Sequence, residues 1–476
     1  MRFWLASLPL LLIARSAGAE PRRVTVDTPV SAFAHPGAIA PYLFLNRCVG
    51  GCAITGATTN DAAAHWTTIP SPGSYVVHEF ATATGETGTA ADADWAAVVQ
   101  CMKEVYSPYA ITVSDAPPPP GTAFNEAIIA GQPTDVGLGF DILGISPLAN
   151  DCSPQDNVLS FSFANHHGPD ARALNICWTA SQESAHAYGL DHEYEFSDGN
   201  SACSDPMTYR TDCGGQKFFR NKRAKCGEMA ARKCRCNSSQ NSHTQLISIF
   251  GAGVPITAAP HASVIFPTNN SAVTTGWVTH ISAGSQRGVA KVELYFNDSR
   301  WMVQPGAKFG ANGQLDPSTY TFIPPANVPD GIIDIQGKVY DDLGIGVATI
   351  PIRVTKGAPC TTDDQCAAHQ HCDAGRCLFE APVGELGDSC EYPQYCKSWT
   401  CLGDGDKTCT QECRTDEPTS CPEGLECFSA SENGVDGFCF PPGGGCCSVG
   451  HERHAIWIHG GLALAVLGSL RRRRRR

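Results

Sequence analysis

The segment ARALNICWTASQESAHAYGLDHEYEFSDGNSACSDPMTYRTDC, running from Ala171 to Cys213, decides how the rest of the chain is read. It predicts a helix over about residues 171–188, ended by Gly189 in the left-handed capping position. On that helix, positions 182 and 186 lie one turn apart on one face, so Gln182 and His186 become two converging metal donors. Gly189 then lets the chain turn sharply, which brings His192 back toward the same point as a third ligand. Glu183 stands beside the first donor, where a carboxylate takes a proton from an activated water.

With Met207 following in DPMTY, this pattern resembles the metzincin metallopeptidases, whose signature is HExxHxxGxxH followed by a methionine turn. Gln182 stands where the first histidine belongs, as it does in the gametolysin-like branch. The resemblance implies a domain over residues 20–250, with zinc or another divalent metal held by Gln182, His186 and His192. It also implies Glu183 and Tyr209 as catalytic residues, Tyr209 stabilising the oxyanion, with Gly189 and Met207 in structural roles and Met207 forming the floor beneath the metal. A neutral amide oxygen is a weaker zinc donor than imidazole, so the glutamine lowers the expected affinity. The function implied is a metal-dependent endopeptidase acting on extracellular proteins or peptides. The alternative is an inactive metzincin-like surface protein that serves in adhesion or binding.

Upstream, the runs YLFLNRCV, SYVVHEFATA, YAITVSDA and VLSFSFAN read as strands and residues 92–106 as a helix, giving a mixed α+β domain. VLSFSFAN is the expected edge strand, against which an extended peptide would add. His166 and His167 read as part of an exposed loop, and Glu193 and Glu195 as solvated or locally paired with arginine. Residues 20–40 are too short for a folded inhibitor domain.

Residues 261–357 carry short β-rich runs separated by turn sequences such as PDG and DDLG. Val292, Leu294 and Phe296 alternate with Lys291, Glu293 and Tyr295, the pattern of an all-β antiparallel sandwich. This part resembles a bacterial immunoglobulin-like domain and reads as a spacer or adhesive module. The 24 cysteines fall as ten from Cys48 to Cys236, none from Asn237 to Pro359, twelve from Cys360 to Cys439, and the pair Cys446/Cys447. Even counts suit complete disulfide pairing in an oxidising compartment, and residues 358–445 read as a small stalk held by cross-links. The chain is thus expected to be multidomain.

Both ends read as address labels. Residues 1–19 have the charge, apolar run and small-residue site of a secretory signal peptide. Residues 446–476 combine cysteines, a short apolar stretch and six arginines, and resemble the myxobacterial C-terminal sorting signal. That implies export, transient membrane association before processing, and anchoring at the outer cell surface. The formal net charge is −13; removing the net +2 of the first end and the net +6 of the last leaves −21. So acidic a chain is a poor partner for nucleic acid.

Overall fold

The computed structural model describes residues 22–28 and 39–442, apart from 198, 307–316, 404, 416–419 and 431–435. The expected signal peptide at 1–19 and the expected sorting signal at 446–476 lie outside the described residues. No helix among the described residues is long and apolar enough to cross a membrane. The chain is mainly β, with few helices and a disulfide-rich C-terminal region. It divides into two compact units, Met1–Leu378 and Phe379–Arg476.

The N-terminal part of the first unit is built on a six-stranded sheet. Its strands are β1 (Arg22–Thr28), β2 (Tyr42–Asn46), β3 (Thr112–Ser114), β4 (Asn125–Ile129), β5 (Ile142–Ala149) and β6 (Leu159–Ser162), in the order β1-β5-β6-β4-β2-β3. Pairing is parallel except between β5 and β6, which run antiparallel. β6 therefore lies inside the sheet and is not the edge strand that its sequence suggests. The position one strand further out belongs to β5, and β1 pairs along it over seven residues, with Arg23 opposite Gly144. SYVVHEFATA also departs from expectation: Gly73–Val77 pairs with Cys52–Gly56 in a separate small sheet.

Helix α1 (Asp92–Tyr106) matches the sequence reading residue for residue, and α2 (Arg172–Ala187) matches it to within a residue at each end. Both pack on the sheet through a core that includes Leu43, Leu45, Val98, Met102, Ile129 and Ile176. Each such side chain, fully buried, contributes about 1.5–3 kcal/mol. Cys101–Cys177 staples α1 to α2. Closing a loop of that length removes about 4 kcal/mol of unfolded-chain entropy in the chain-entropy model. The buried Arg172 guanidinium donates to the carbonyls of Ala164, His167 and Ala81 at 2.6–2.8 Å, anchoring the start of α2 against the loop before it. All ten cysteines of this part pair internally, through Cys48–Cys52, Cys152–Cys236, Cys203–Cys213 and Cys226–Cys234 besides the staple.

Residues from His261 onward form two facing sheets. One holds His261–Phe266, Thr279–Gly284 and Ser318–Phe322; the other is built around Val289–Phe296 and Gly331–Asp341. Val292, Leu294 and Phe296 point into the shared core. The opposite face of the same strand is not open to water: Glu293 and Tyr295 are buried there, and Glu293 is held by Lys291 at 2.9 Å, Arg300 at 3.0 Å and the Tyr295 hydroxyl at 2.9 Å. In the C-terminal region Cys360–Cys372 and Cys366–Cys377 belong to the first unit. Among the described residues, four more disulfides hold the second, whose buried side chains are mostly half-cystines, joined by Phe440, Gln394 and Thr410.

Candidate functional site

Gln182, Glu183 and His186 all lie on α2 and are fully buried. Gly189 ends the helical run at φ +83°, and a Cβ there would sit 2.0 Å from the carbonyl oxygen of Cys152. Any other residue would clash as well as adopt an unfavourable backbone conformation, so the turn depends on glycine. Beyond it, the chain brings the His192 ring to 4.5 Å from the His186 ring, centroid to centroid.

The two histidines point their Nε2 atoms at each other across 3.1 Å. Each Nδ1 is tied off on the far side. His186 Nδ1 lies 2.6 Å from the carbonyl oxygen of Leu190, and His192 Nδ1 lies 3.1 Å from Glu228 Oε1. A carbonyl oxygen and a carboxylate only accept hydrogen bonds, so each ring carries a proton on Nδ1 and leaves Nε2 as the nitrogen that can offer its lone pair to a cation. Burial, followed by the neighbouring His192, lowers the His186 pKa to about 3, so this ring is neutral at ordinary pH. Two lone pairs aimed at one point suit a shared cation. Two nitrogens bound to one tetrahedral zinc at about 2.0–2.1 Å lie roughly 3.3 Å apart, close to the observed spacing.

The surroundings fit the same purpose. Glu228 is itself held by Arg232 at 2.6 Å, and the hydrogen bond from His192 together with Arg232 keeps its carboxyl well below the usual carboxylate range. Arg232 also bonds both oxygens of Asp191, at 2.7 and 2.9 Å. Asp191, His192 and Glu228 are close enough together to suggest a ligand set of their own, but the Arg232 guanidinium already bonds to both carboxylates. A bonded carboxylate behind a ligating histidine is an orienting group. The cysteine trios at Cys360, Cys390 and Cys413 have their sulfurs in disulfides and offer no thiolate to a metal.

Tyr209 packs edge-on against His192, with ring centroids 4.7 Å apart. Met207 is fully buried. Its carbonyl accepts from the Glu193 N–H at 2.6 Å, which joins the turn to the strand following His192. That strand, β7 (Glu193–Phe196), pairs with β8 (Ala224–Cys226), and the Gly227 N–H donates to the His192 carbonyl at 2.9 Å. The Cys226–Cys234 disulfide closes the loop that carries Glu228 and Arg232.

Three local expectations change. Glu193 is buried and accepts from Gln240 at 3.1 Å; burial, then Asp205, raises its pKa well above the ordinary range. Glu195 is half-buried and pairs with Lys225 rather than an arginine, at 3.1 Å. His167 is buried beside the Arg172 anchor, and His166 stacks edge-on against Phe140 at 4.3 Å. The residue that sequence reasoning missed is Glu228. It stands 36 positions after His192, and only the cysteine pair around it, Cys226 and Cys234, marks its loop as fixed.

No family model matches the chain, and no curated protein matches it. Among solved structures, it is similar to fibronectin(III)-like modules of Clostridium thermocellum CbhA at 19% identity, over 20% of this chain and 94% of that one, with a TM-score of 0.16. It is also similar to an endo-beta-1,4-mannanase from Thermotoga petrophila at 12% identity, over 28% and 30% of the two chains, with a TM-score of 0.16. Likenesses so slight bear on neither the fold nor the chemistry.

Proposed function

We propose that the protein is a metzincin-like, metal-dependent endopeptidase, exported and anchored at the cell surface, with an immunoglobulin-like domain and a disulfide-rich stalk behind its catalytic domain. The observation that carries this reading is the pair of Nε2 lone pairs of His186 and His192 facing each other at 3.1 Å, each ring oriented by an acceptor at Nδ1. The helical position of Gln182, one turn before His186, adds its side-chain oxygen as the third donor.

These three residues would hold zinc or another divalent cation, which supplies a Lewis acid for water and for a peptide carbonyl. Glu183, adjacent to Gln182 on the same helix, takes the proton from the attacking water and later delivers it to the leaving amine. Tyr209, held against His192, donates to the oxyanion of the tetrahedral intermediate. The substrate class is an extended polypeptide outside the cell.

Cleavage of casein or a peptide library by the purified ectodomain, beside its Glu183→Ala variant, tests the reading. The expected result is turnover lost by at least about a hundredfold in the variant, the scale of general base removal. Equal turnover in both leaves only an inert surface protein.

A further inference from the structure

The two-sheet body is more than a spacer, because its contact with the N-terminal part is a buried ionic cluster that ends on the turn bearing Met207. Asp342, the residue just after Gly331–Asp341, receives Arg287 in a bidentate pair, Nε to Oδ1 at 2.7 Å and Nη2 to Oδ2 at 2.9 Å. Arg220, from the N-terminal part, donates to the same Oδ2 at 3.0 Å and to the Arg287 carbonyl at 2.5 Å. Both arginines are almost wholly buried, and both stand over the ring of Phe218.

From Arg220 the chain of contacts runs directly to the site. Its Nε donates to the Ser204 carbonyl at 3.2 Å, and its backbone N–H donates to Asp205 Oδ2 at 2.7 Å. Asp205 Oδ1 in turn accepts the Met207 N–H at 2.9 Å. Without Asp342, two buried guanidinium groups would share one pocket without the carboxylate that bridges them. Removing one member of a buried ion cluster is costly because the remaining charges lose their compensation. Arg220 would be driven from its place and would carry the Ser204–Met207 turn with it.

We propose that Asp342 is a positioning residue: through Arg220 it sets the turn that carries Met207, and the two-sheet body is thereby a working part of the catalytic domain. The effect on catalysis rests on the peptidase reading; the effect on the turn does not. Methionine methyl NMR on the full chain separates the two. Among the five methionines, Met207 reports the turn, Met102 the helical core and Met302 the two-sheet body.

In Asp342→Asn and Asp342→Ala, the Met207 methyl resonance is expected to move by more than its linewidth while those of Met102 and Met302 stay in place. In the same variants kcat is expected to fall about tenfold with KM changed less than twofold, and Asp342→Glu restores part of it, as loss of orientation rather than of substrate contact would give. If Asp342→Ala unfolds, shown by loss of the native positions of all three signals, the isosteric Asn variant decides. An unmoved Met207 resonance in a folded variant overturns the proposal. Absent turnover in the wild type removes the peptidase reading and leaves the Met207 resonance to judge the brace alone.

Discussion

Gly144 of β5 lies so close to Glu183 of α2 that a Cβ built on the glycine would sit 2.6 Å from Glu183 Cγ and 2.8 Å from its Oε1. The same Cβ would meet Thr179 Cγ2 at 2.7 Å, so the helix blocks an escape along its own axis. Gly144→Ala should therefore push the carboxylate out of place while leaving His186 and His192 where they are. We expect kcat to fall about tenfold with metal content unchanged, since misplacing a catalytic group by about an ångström costs on that scale or more. Unchanged kcat with unchanged metal would show that the Glu183 position is not critical.

β1 occupies the outer side of β5, with Arg23 paired to Gly144, directly across from the glycine that touches Glu183. While it is there, no other extended segment can use those backbone groups. Deleting residues 20–28 should raise peptide turnover at least about tenfold and lower KM, measured against the chain that retains them. Equal rates would mean that substrate reaches the site without the β5 edge.

Two substitutions probe the ligands from outside and inside. Glu228→Ala removes the acceptor that orients His192 and should weaken zinc affinity about 10–100-fold in a competition titration. Gln182→His replaces an amide oxygen with imidazole and should tighten it. Unchanged affinity in the second variant would mean that position 182 does not face the ion.

The sequence yields the helices, the glycine turn and the histidine convergence because each rests on local periodicity: α1 is read to the residue, and the HxxGxxH segment carries its own geometry. It does not yield β4 and β5. NEAII is buried along its whole length and ILGISPLA over most of it, so neither shows the period-two alternation that marks a half-exposed strand. β6 looks like an edge because it directly precedes α2, whereas pairing order depends on strands brought from elsewhere in the chain. Glu228 and the Arg220–Asp342 contact are tertiary; the latter joins positions 122 apart, and no local pattern announces such a pair.

Glu293 offers a pH test away from the site. Burial alone would raise its pKa, but Lys291, Tyr295 and Arg300 outweigh that and hold it below the ordinary glutamate value. A carboxyl depressed in the folded state stabilises fully above its unfolded pKa, and this contribution is lost as pH falls through the folded pKa. Thermal melts from about pH 6 to about pH 3 should show a steeper loss of Tm in the wild type than in Glu293→Gln. Parallel curves would show that the cluster adds no pH dependence.

The central claim, that His186 and His192 converge on one divalent cation, is tested most directly by X-ray absorption at the zinc edge on protein never exposed to chelator. One ion per chain is expected, with two imidazole nitrogens at about 2.0–2.1 Å in its shell, and loss of that signature in His192→Ala. A chain that carries no ion after zinc loading, or one whose zinc sits in a shell without imidazole, would contradict it.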